Sequence, residues 1–264
     1  MDPLAILAVL AAGLAAGTVN AVVGAGSLIT FPTLLALGLP PVTANASNTV
    51  GLVAGGLSGT WGYRRELTGM GPRLRLLLPS TAVGALVGGV LLLVLPQSAF
   101  EAVVPGLLVV GAVLIGVQPA LSRTLRKRKE ARGRDAADAG RERRPRAVVP
   151  WPLLFLTALL GVYGGYFGAA QGVILIAVLG FGLPDGLQVL NGLKNACVTT
   201  ANLVSGLLFV AVADLSWLAV LLIAVGSAVG GQLGAKLGRR LPSTLLRAVV
   251  VVLGLAVAAR LALT

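Results

Sequence analysis

The chain has 264 residues, of which 56% are hydrophobic and only 11% charged, too few charges to cover the surface of a water-soluble domain of this size. Its net charge is +12, but eleven of the 21 Lys and Arg lie between Arg123 and Arg146 and almost all the others flank apolar runs, which is a membrane-topology pattern rather than a nucleic-acid footprint. The single cysteine, Cys197, excludes an intrachain disulfide, and the absence of histidine excludes His-ligated metal, haem and His-based acid–base chemistry.

Apolar runs near the length needed to cross ~30 Å of hydrocarbon as helix recur along the chain. They do not alternate apolar and polar residues, so helices rather than a closed barrel must satisfy the backbone in lipid. In chain order the segments fall at 4–22, 27–39, 44–63, 73–95 and 98–118, then at 151–169, 172–183, 191–212, 215–235 and 243–263. The opening MDPLAILAVLAAGLAAG has the look of a signal-peptide core. It lacks a basic leader and runs straight into the next segment, so it reads as a retained first helix. The expectation is an all-α, polytopic membrane protein. Its first membrane repeat covers residues 1–118, a basic linker 119–149, and a second membrane repeat 150–264.

The two repeats share a module. NAVVGAGSLITFPTLLALGLPP (Asn20–Pro41) is followed by ANASNTVGLVAG to Gly55. GGYFGAAQGVILIAVLGFGLP (Gly164–Pro184) is followed by NGLKNACVTTANLVSG to Gly206. In each, a glycine-broken apolar segment reaches a Gly-Leu-Pro turn, and an Asn opens the next helix. Duplicated, interrupted helices are the best sequence pointer to a transport site. The short segments 27–39 and 172–183 would rise only ~20 Å as helix. They are either re-entrant half-helices or the lower part of a bent first helix.

Charge placement separates these. If segments 1 and 2 form a hairpin, each half makes an odd number of net crossings and the halves are inverted. With the linker in the cytoplasm, Arg64, Arg65, Arg73, Arg75, Lys236, Arg239 and Arg240 are then all inside, and Lys194 and Arg247 fall near inner helix ends. A continuous bent span would move Lys194, Lys236, Arg239, Arg240 and Arg247 outside. The positive-inside rule favours the hairpin. The reading is therefore two inverted repeats, with about eight full transmembrane helices, two short half-helices, and both termini outside. The linker itself carries eleven basic against four acidic residues and reads as a flexible, solvated loop that sets orientation.

Several polar groups fall at the repeated breaks. GAGS (Gly24–Ser27) and GAAQ (Gly168–Gln171) interrupt the helix, and N–H groups opening the next half-helix make an anion site. Glycine also permits close helix packing, which accounts for Gly88–Gly89 and Gly230–Gly231. Ser47 and Asn48 open the next helix in one half, and Lys194 and Asn195 in the other, aligned after a three-residue insertion. Asn can ligate an oxyanion or bond between helices. Lys194 is the one charge within a helical segment of the modules. It suits an anion, or it snorkels to the interface four residues away. Acidic residues outside the linker are Asp2, Glu66, Glu101, Asp185 and Asp214, all near ends or loops. No phosphate-binding loop and no reactive cluster is present, so ATP hydrolysis and enzymatic chemistry are not expected, and no cofactor is called for.

These motifs resemble the TauE/SafE family of membrane permeases, the sulfite exporter family. The residues that carry the resemblance are the paired breaks, GLPP at Gly38–Pro41, GLP at Gly182–Pro184, Ser47–Thr49, WGYRREL at Trp61–Leu67 and, most specifically, Asn191–Gly206. The resemblance spans both halves. It implies a bacterial inner-membrane permease for small anions, such as sulfite, sulfonates like sulfoacetate, or related sulfur or two-carbon compounds. Gln171 departs from a stretch that is often glycine in the family. The site expected is Gly24, Gly26, Ser27, Ser47, Asn48, Gly168, Gln171, Lys194 and Asn195, worked by alternating access. Arg64 and Arg65 either mark the cytoplasmic mouth or anchor topology. The sequence leaves open the substrate, the coupling ion (proton or sodium) and the oligomeric state. An anion channel and a non-transporting assembly protein are the rival classes.

Overall fold

The computed structural model describes residues 1–138 and 149–237. The expected last segment, 243–263, and the middle of the linker lie outside the described residues. Within them the chain folds as α1 (Pro3–Val22), α2 (Ser27–Ala36), α3 (Pro41–Gly62), α4 (Gly71–Val94), α5 (Gln97–Asp138), α6 (Trp151–Tyr166), α7 (Gln171–Gly182), α8 (Leu187–Val212) and α9 (Trp217–Leu237). Pro sits in the first turn of α1, α3, α4 and α6, where its missing N–H costs nothing and its fixed φ suits the helix.

Five of these helices are long and apolar enough to cross a membrane: α1, α4, α5 as far as Gln118, α8, and α9 as far as Lys236. α3 has the length, with 22 residues, but its interior carries Asn45, Ser47, Asn48 and Thr49. α6 stops after 16 residues, at the second break. One expectation changes: residues 119–138 are not loop but a continuation of α5. Ala120–Arg132 contains only Ala, Leu, Ser, Thr, Arg, Lys and Glu, most of them strong helix formers, and the helix has no local reason to stop.

Each short helix turns back along the helix before it. A Cβ on Gly26 would lie 2.5 Å from Ala16 O, and Gln171 Nε2 donates to Leu160 O at 2.8 Å. A bent, continuous span would place residues 26 and 171 beyond α1 and α6, not beside their middles.

Glycines set the long-helix packing. In α4 and α6, a Cβ on Gly84 would stand 1.9 Å from Ala158 O, one on Gly88 2.0 Å from Val162 O, and one on Gly165 2.1 Å from Ala85 O. In α1 and α9, Gly17 abuts Ser227, Gly230 abuts Leu14 O, and Gly234 abuts Thr18 O. Both pairs are parallel, with backbones close enough for van der Waals contact in the manner of small-xxx-small motifs. α3 packs beside α9 in the same direction through Gly51, Gly55 and Gly62. α3 and α8 meet at Gly192 with Tyr63 and Leu67, at Thr199 with Gly56 and Thr60, and at Gly206 with Val50. As α8 advances α3 recedes, so the two are antiparallel.

Apolar side chains face both inward and outward. Phe31, Phe100, Tyr166 and Phe167 pack edge to face around one end of the interior. Leu77, Leu153, Leu175, Leu179, Leu190 and Leu193 fill a second cluster. Leu7, Val83, Val113, Leu207 and Leu221 are exposed along the perimeter, a surface that suits lipid rather than water. Trp61, Trp151 and Trp217 are exposed at helix termini, as interfacial anchors are.

Replacing Gly88 with Val should lower stability by at least ~1–3 kcal/mol, because the new side chain overlaps backbone that cannot retreat. Gly116 has open space around its Cα. Gly116→Ala should be neutral or stabilising by up to ~1 kcal/mol. Thermal unfolding of the two variants in detergent checks this.

Candidate functional site

The breaks are built alike. Gly24 (φ +88°) and Gly168 (φ +72°) take the left-handed conformation that only glycine adopts without strain. Val23 and Gly24 N–H both donate to Val19 O, at 2.7 and 3.1 Å. Phe167 and Gly168 N–H both donate to Tyr163 O, at 2.9 and 3.0 Å. This closure ends α1 and α6 early. It leaves carbonyls of their last turns pointing away from any helical donor, in a region where water is scarce.

Gln118 Nε2, on α5 of the same half, donates to Val23 O at 3.3 Å, and the opposite half supplies the other donors. Lys194 Nζ, on α8, donates to Asn20 O at 3.0 Å and Ala21 O at 3.1 Å, and Asn195 Nδ2 donates to Ala21 O at 3.2 Å. Reciprocally, Asn45 Nδ2, on α3, donates to Tyr166 O at 2.9 Å. The two breaks also touch directly. Gly172 N–H donates to Gly24 O at 3.0 Å, and a Cβ on Gly24 would lie 2.5 Å from the Gly172 Cα.

Lys194 is fully buried, so it does not snorkel. α8 begins at Leu187 rather than 191, which sets Lys194 two turns into the helix. The negative C-terminal end of α1 then holds its ammonium. Asn48 is also fully buried, with Oδ1 accepting from Thr30 Oγ1 of α2. Its Nδ2 has no partner among the described residues; nor have Asn45 Oδ1 and Gln171 Oε1. Ser27 opens α2 and is half-buried, after a Gly26 N-cap that has no side chain to bond the first turn. Ser47 does something else: its Oγ accepts from Ser216 N–H at 2.9 Å, tying α3 to the start of α9. The structure thus gathers Gly24, Gly26, Ser27, Gly168, Gln171, Lys194 and Asn195 at the breaks, places Asn48 against α2, and turns Ser47 toward α9.

Four participants were not anticipated. Asn45 does for α6 what Asn195 does for α1. Gly172 stands where the first half has Leu28, and that missing side chain was the available signal. Thr30 buttresses Asn48. Asn20 Oδ1 accepts from Gly26 N–H at 3.5 Å. Asn20 aligns with Gly164, and Ser27 with Gln171. In the first half the larger polar side chain is on the first helix, and in the second half it is on the second. Gln171 fills the space over Gly164, where a Cβ would meet its Nε2 at 2.3 Å.

Charge near the site is sparse. Arg73, buried, pairs with Asp185 and joins the start of α4 to the turn before α8. Arg64 is exposed over the Trp61 ring at 4.9 Å, as an interfacial anchor would be. Among the described residues no three His, Cys, Asp or Glu gather to hold a metal ion.

Comparison with known proteins places this arrangement. The family profile described as Sulfite exporter TauE/SafE matches residues 9–261. The chain belongs to the TauE/SafE family. A Haemophilus influenzae relative named "Probable membrane transporter protein" is 27% identical, over 99% of this chain and 95% of its own. The Escherichia coli K12 "Probable membrane transporter protein YfcA" is 24% identical, over 86% and 78% respectively. No solved structure matches. The TauE/SafE chain described here is thus a multi-pass helical membrane protein of a transporter family, as the resemblance implied.

The Asn20/Gly164 and Ser27/Gln171 compensation is testable. Gly164→Asn alone should destabilise by ~1–3 kcal/mol through collision with Gln171. Adding Gln171→Ser, which copies the first half's arrangement, should restore most of that loss. A coupling energy of ~0.5–3 kcal/mol in a double-mutant cycle of thermal unfolding is expected.

Proposed function

We propose that this TauE/SafE protein is a secondary permease for a small anion, of the sulfite, organosulfonate or related two-carbon class. The observation that carries this reading is the electrostatics of the breaks. Two helices end there and two begin there, so C-terminal and N-terminal dipole ends converge. The C-terminal ends are covered by Lys194, Asn195 and Asn45, whereas among the described residues no acidic side chain bonds the beginnings of α2 and α7. The balance is positive, carried by one ammonium and several buried amides, and an anion is its complement.

In this reading Asn48 Nδ2, Ser27, Gln171, the third donor of Lys194, the second Nδ2 hydrogen of Asn195, and the backbone at Gly24, Gly26 and Gly168 hold the substrate. Antiparallel α3 and α8 and the reciprocal capping support inverted repeats. The Arg73–Asp185 pair supports a common side for the α3–α4 and α7–α8 connections. We place that side and residues 119–149 in the cytoplasm of a bacterial inner membrane, with both termini outside. Access alternates as two bodies rock, α1 with α3 and α9 against α4 with α6 and α8: backbone-close glycine contacts join α1 and α3 to α9 and join α4 to α6, whereas α8 meets both α3 and α4 through side chains.

Proteoliposome flux and thermal shift with sulfite, thiosulfate, sulfoacetate and acetate identify the substrate. Asn48→Ala or Asn195→Ala should then cut affinity by ~10–100-fold, the loss of one hydrogen bond to a charged group, while the protein still inserts. Undiminished flux in both variants removes them from the site.

A further inference from the structure

The Lys194 ammonium sits where broken-helix transporters commonly hold a coupling cation. Its two acceptors, Asn20 O and Ala21 O, are carbonyls of a half-helix C-terminal end, at 3.0 and 3.1 Å. Such ends, with their negative partial charge, are cation sites inside a membrane. Asn195 lies against the same carbonyl, and its amide can present either a donor or an oxygen. The groups facing Lys194 carry no formal charge. α1 contributes backbone carbonyls, and α7 contributes the Gly172 backbone, where an added Cβ would lie 3.1 Å from Lys194 Cδ. The described acidic residues outside α5, Asp2, Glu66, Asp185 and Asp214, lie at helix ends and turns, and Glu101 in the first turns of α5. The equivalent end in the second half, Tyr166 O, accepts from the neutral Asn45 amide.

We propose that Asn20 O, Ala21 O and Asn195 form a monovalent-cation site whose occupant is the tethered ammonium of Lys194. The protein therefore needs no sodium or potassium at this position. A tethered side chain also cannot cross to either side as a free sodium ion does, so a sodium gradient cannot be harnessed here. This inference stands apart from the anion reading, because its test requires no substrate.

The experiment is thermal unfolding of purified protein in choline, sodium and potassium chloride at equal ionic strength. The wild type should unfold at the same temperature in all three. Lys194→Ala, which strands Asn20 O, takes one of two donors from Ala21 O and opens space beside them, should unfold roughly 5–10 °C lower in choline. Sodium or potassium should recover at least half of that fall, saturably. Lys194→Met should fall as far and recover nothing, because its side chain occupies the space. Lys194→Arg, which keeps the charge, should hold in choline. The proposal is overturned if the wild type itself gains stability saturably with sodium or potassium. It is equally overturned if Lys194→Ala is as stable as wild type in choline, stays equally low in all three salts, or is matched by Lys194→Met in its recovery. Should Lys194→Ala fail to fold, the wild-type salt series and Lys194→Arg decide it.

Discussion

A helix that stops inside a membrane leaves carbonyls that water cannot reach, and each unsatisfied group there costs several kcal/mol. α1 and α6 both stop in this way, at Val22 and Tyr166. Each half caps its break in part, Gln118 Nε2 donating to Val23 O and Tyr163 Oη to Ala169 O, but among the described residues it offers no donor to Asn20 O, Ala21 O or Tyr166 O, because Gly24 and Gly168 fold back to donate to Val19 and Tyr163. The donors come from the other half: Lys194 and Asn195 to α1, Asn45 to α6. Full satisfaction of the break in each repeat therefore requires its partner repeat to be docked. The Gly24–Gly172 backbone contact, the antiparallel meeting of α3 with α8, and the burial of so many amides all follow from that mutual dependence.

The two breaks share a backbone device but not side chains. Position 20 is Asn where 164 is Gly, position 27 is Ser where 171 is Gln, and the ammonium occurs in one half alone. Perfect symmetry would place equal charge at both helix ends. The single ammonium makes the centre asymmetric, so a bound anion would be drawn toward the α1 end. Ala170 adds to this asymmetry. It holds φ +58° where the first half has Gly26 at an ordinary helical φ of −60°, a strain that the tight α6–α7 turn must sustain.

The breaks and hairpins were legible in the sequence because their causes are local. Clustered glycine ends a helix, a stretch of ten to twelve residues is too short to cross, and basic residues report sides. The capping network was not legible to the same degree. Asn45 reaches Tyr166 across 121 residues of chain, and Lys194 reaches Asn20 across 174. No periodicity marks such a contact. Ser47 was matched to Lys194 by alignment, yet the two helices present these positions to different neighbours, α9 in one case and α1 in the other. The early start of α8 was hidden because Gly186–Gln188 carries no strong initiation signal. Its effect is large, since it carries Lys194 from within reach of the interface to full burial.

Glycine has two physical roles here, and they divide the molecule. Along α1–α9 and α4–α6 it brings backbones into contact over several turns, and nothing can slide there without collision. At the breaks it permits φ values that other residues resist, and the contact is a single hydrogen bond, Gly172 to Gly24. The rigid seams join helices drawn from different sequence repeats, so the units they weld are not the repeats themselves. Between those units lie side-chain contacts rather than backbone seams: Gly56, Gly192 and Gly206 where α3 meets α8, the hydroxyl pair at Thr60–Thr199, and the Lys194, Asn195 and Asn45 caps, with the single Gly172–Gly24 backbone bond. Relative motion must stretch or exchange those caps while leaving the seams intact. The residues that satisfy the broken helices are thus the same ones that any movement of one unit against the other has to disturb.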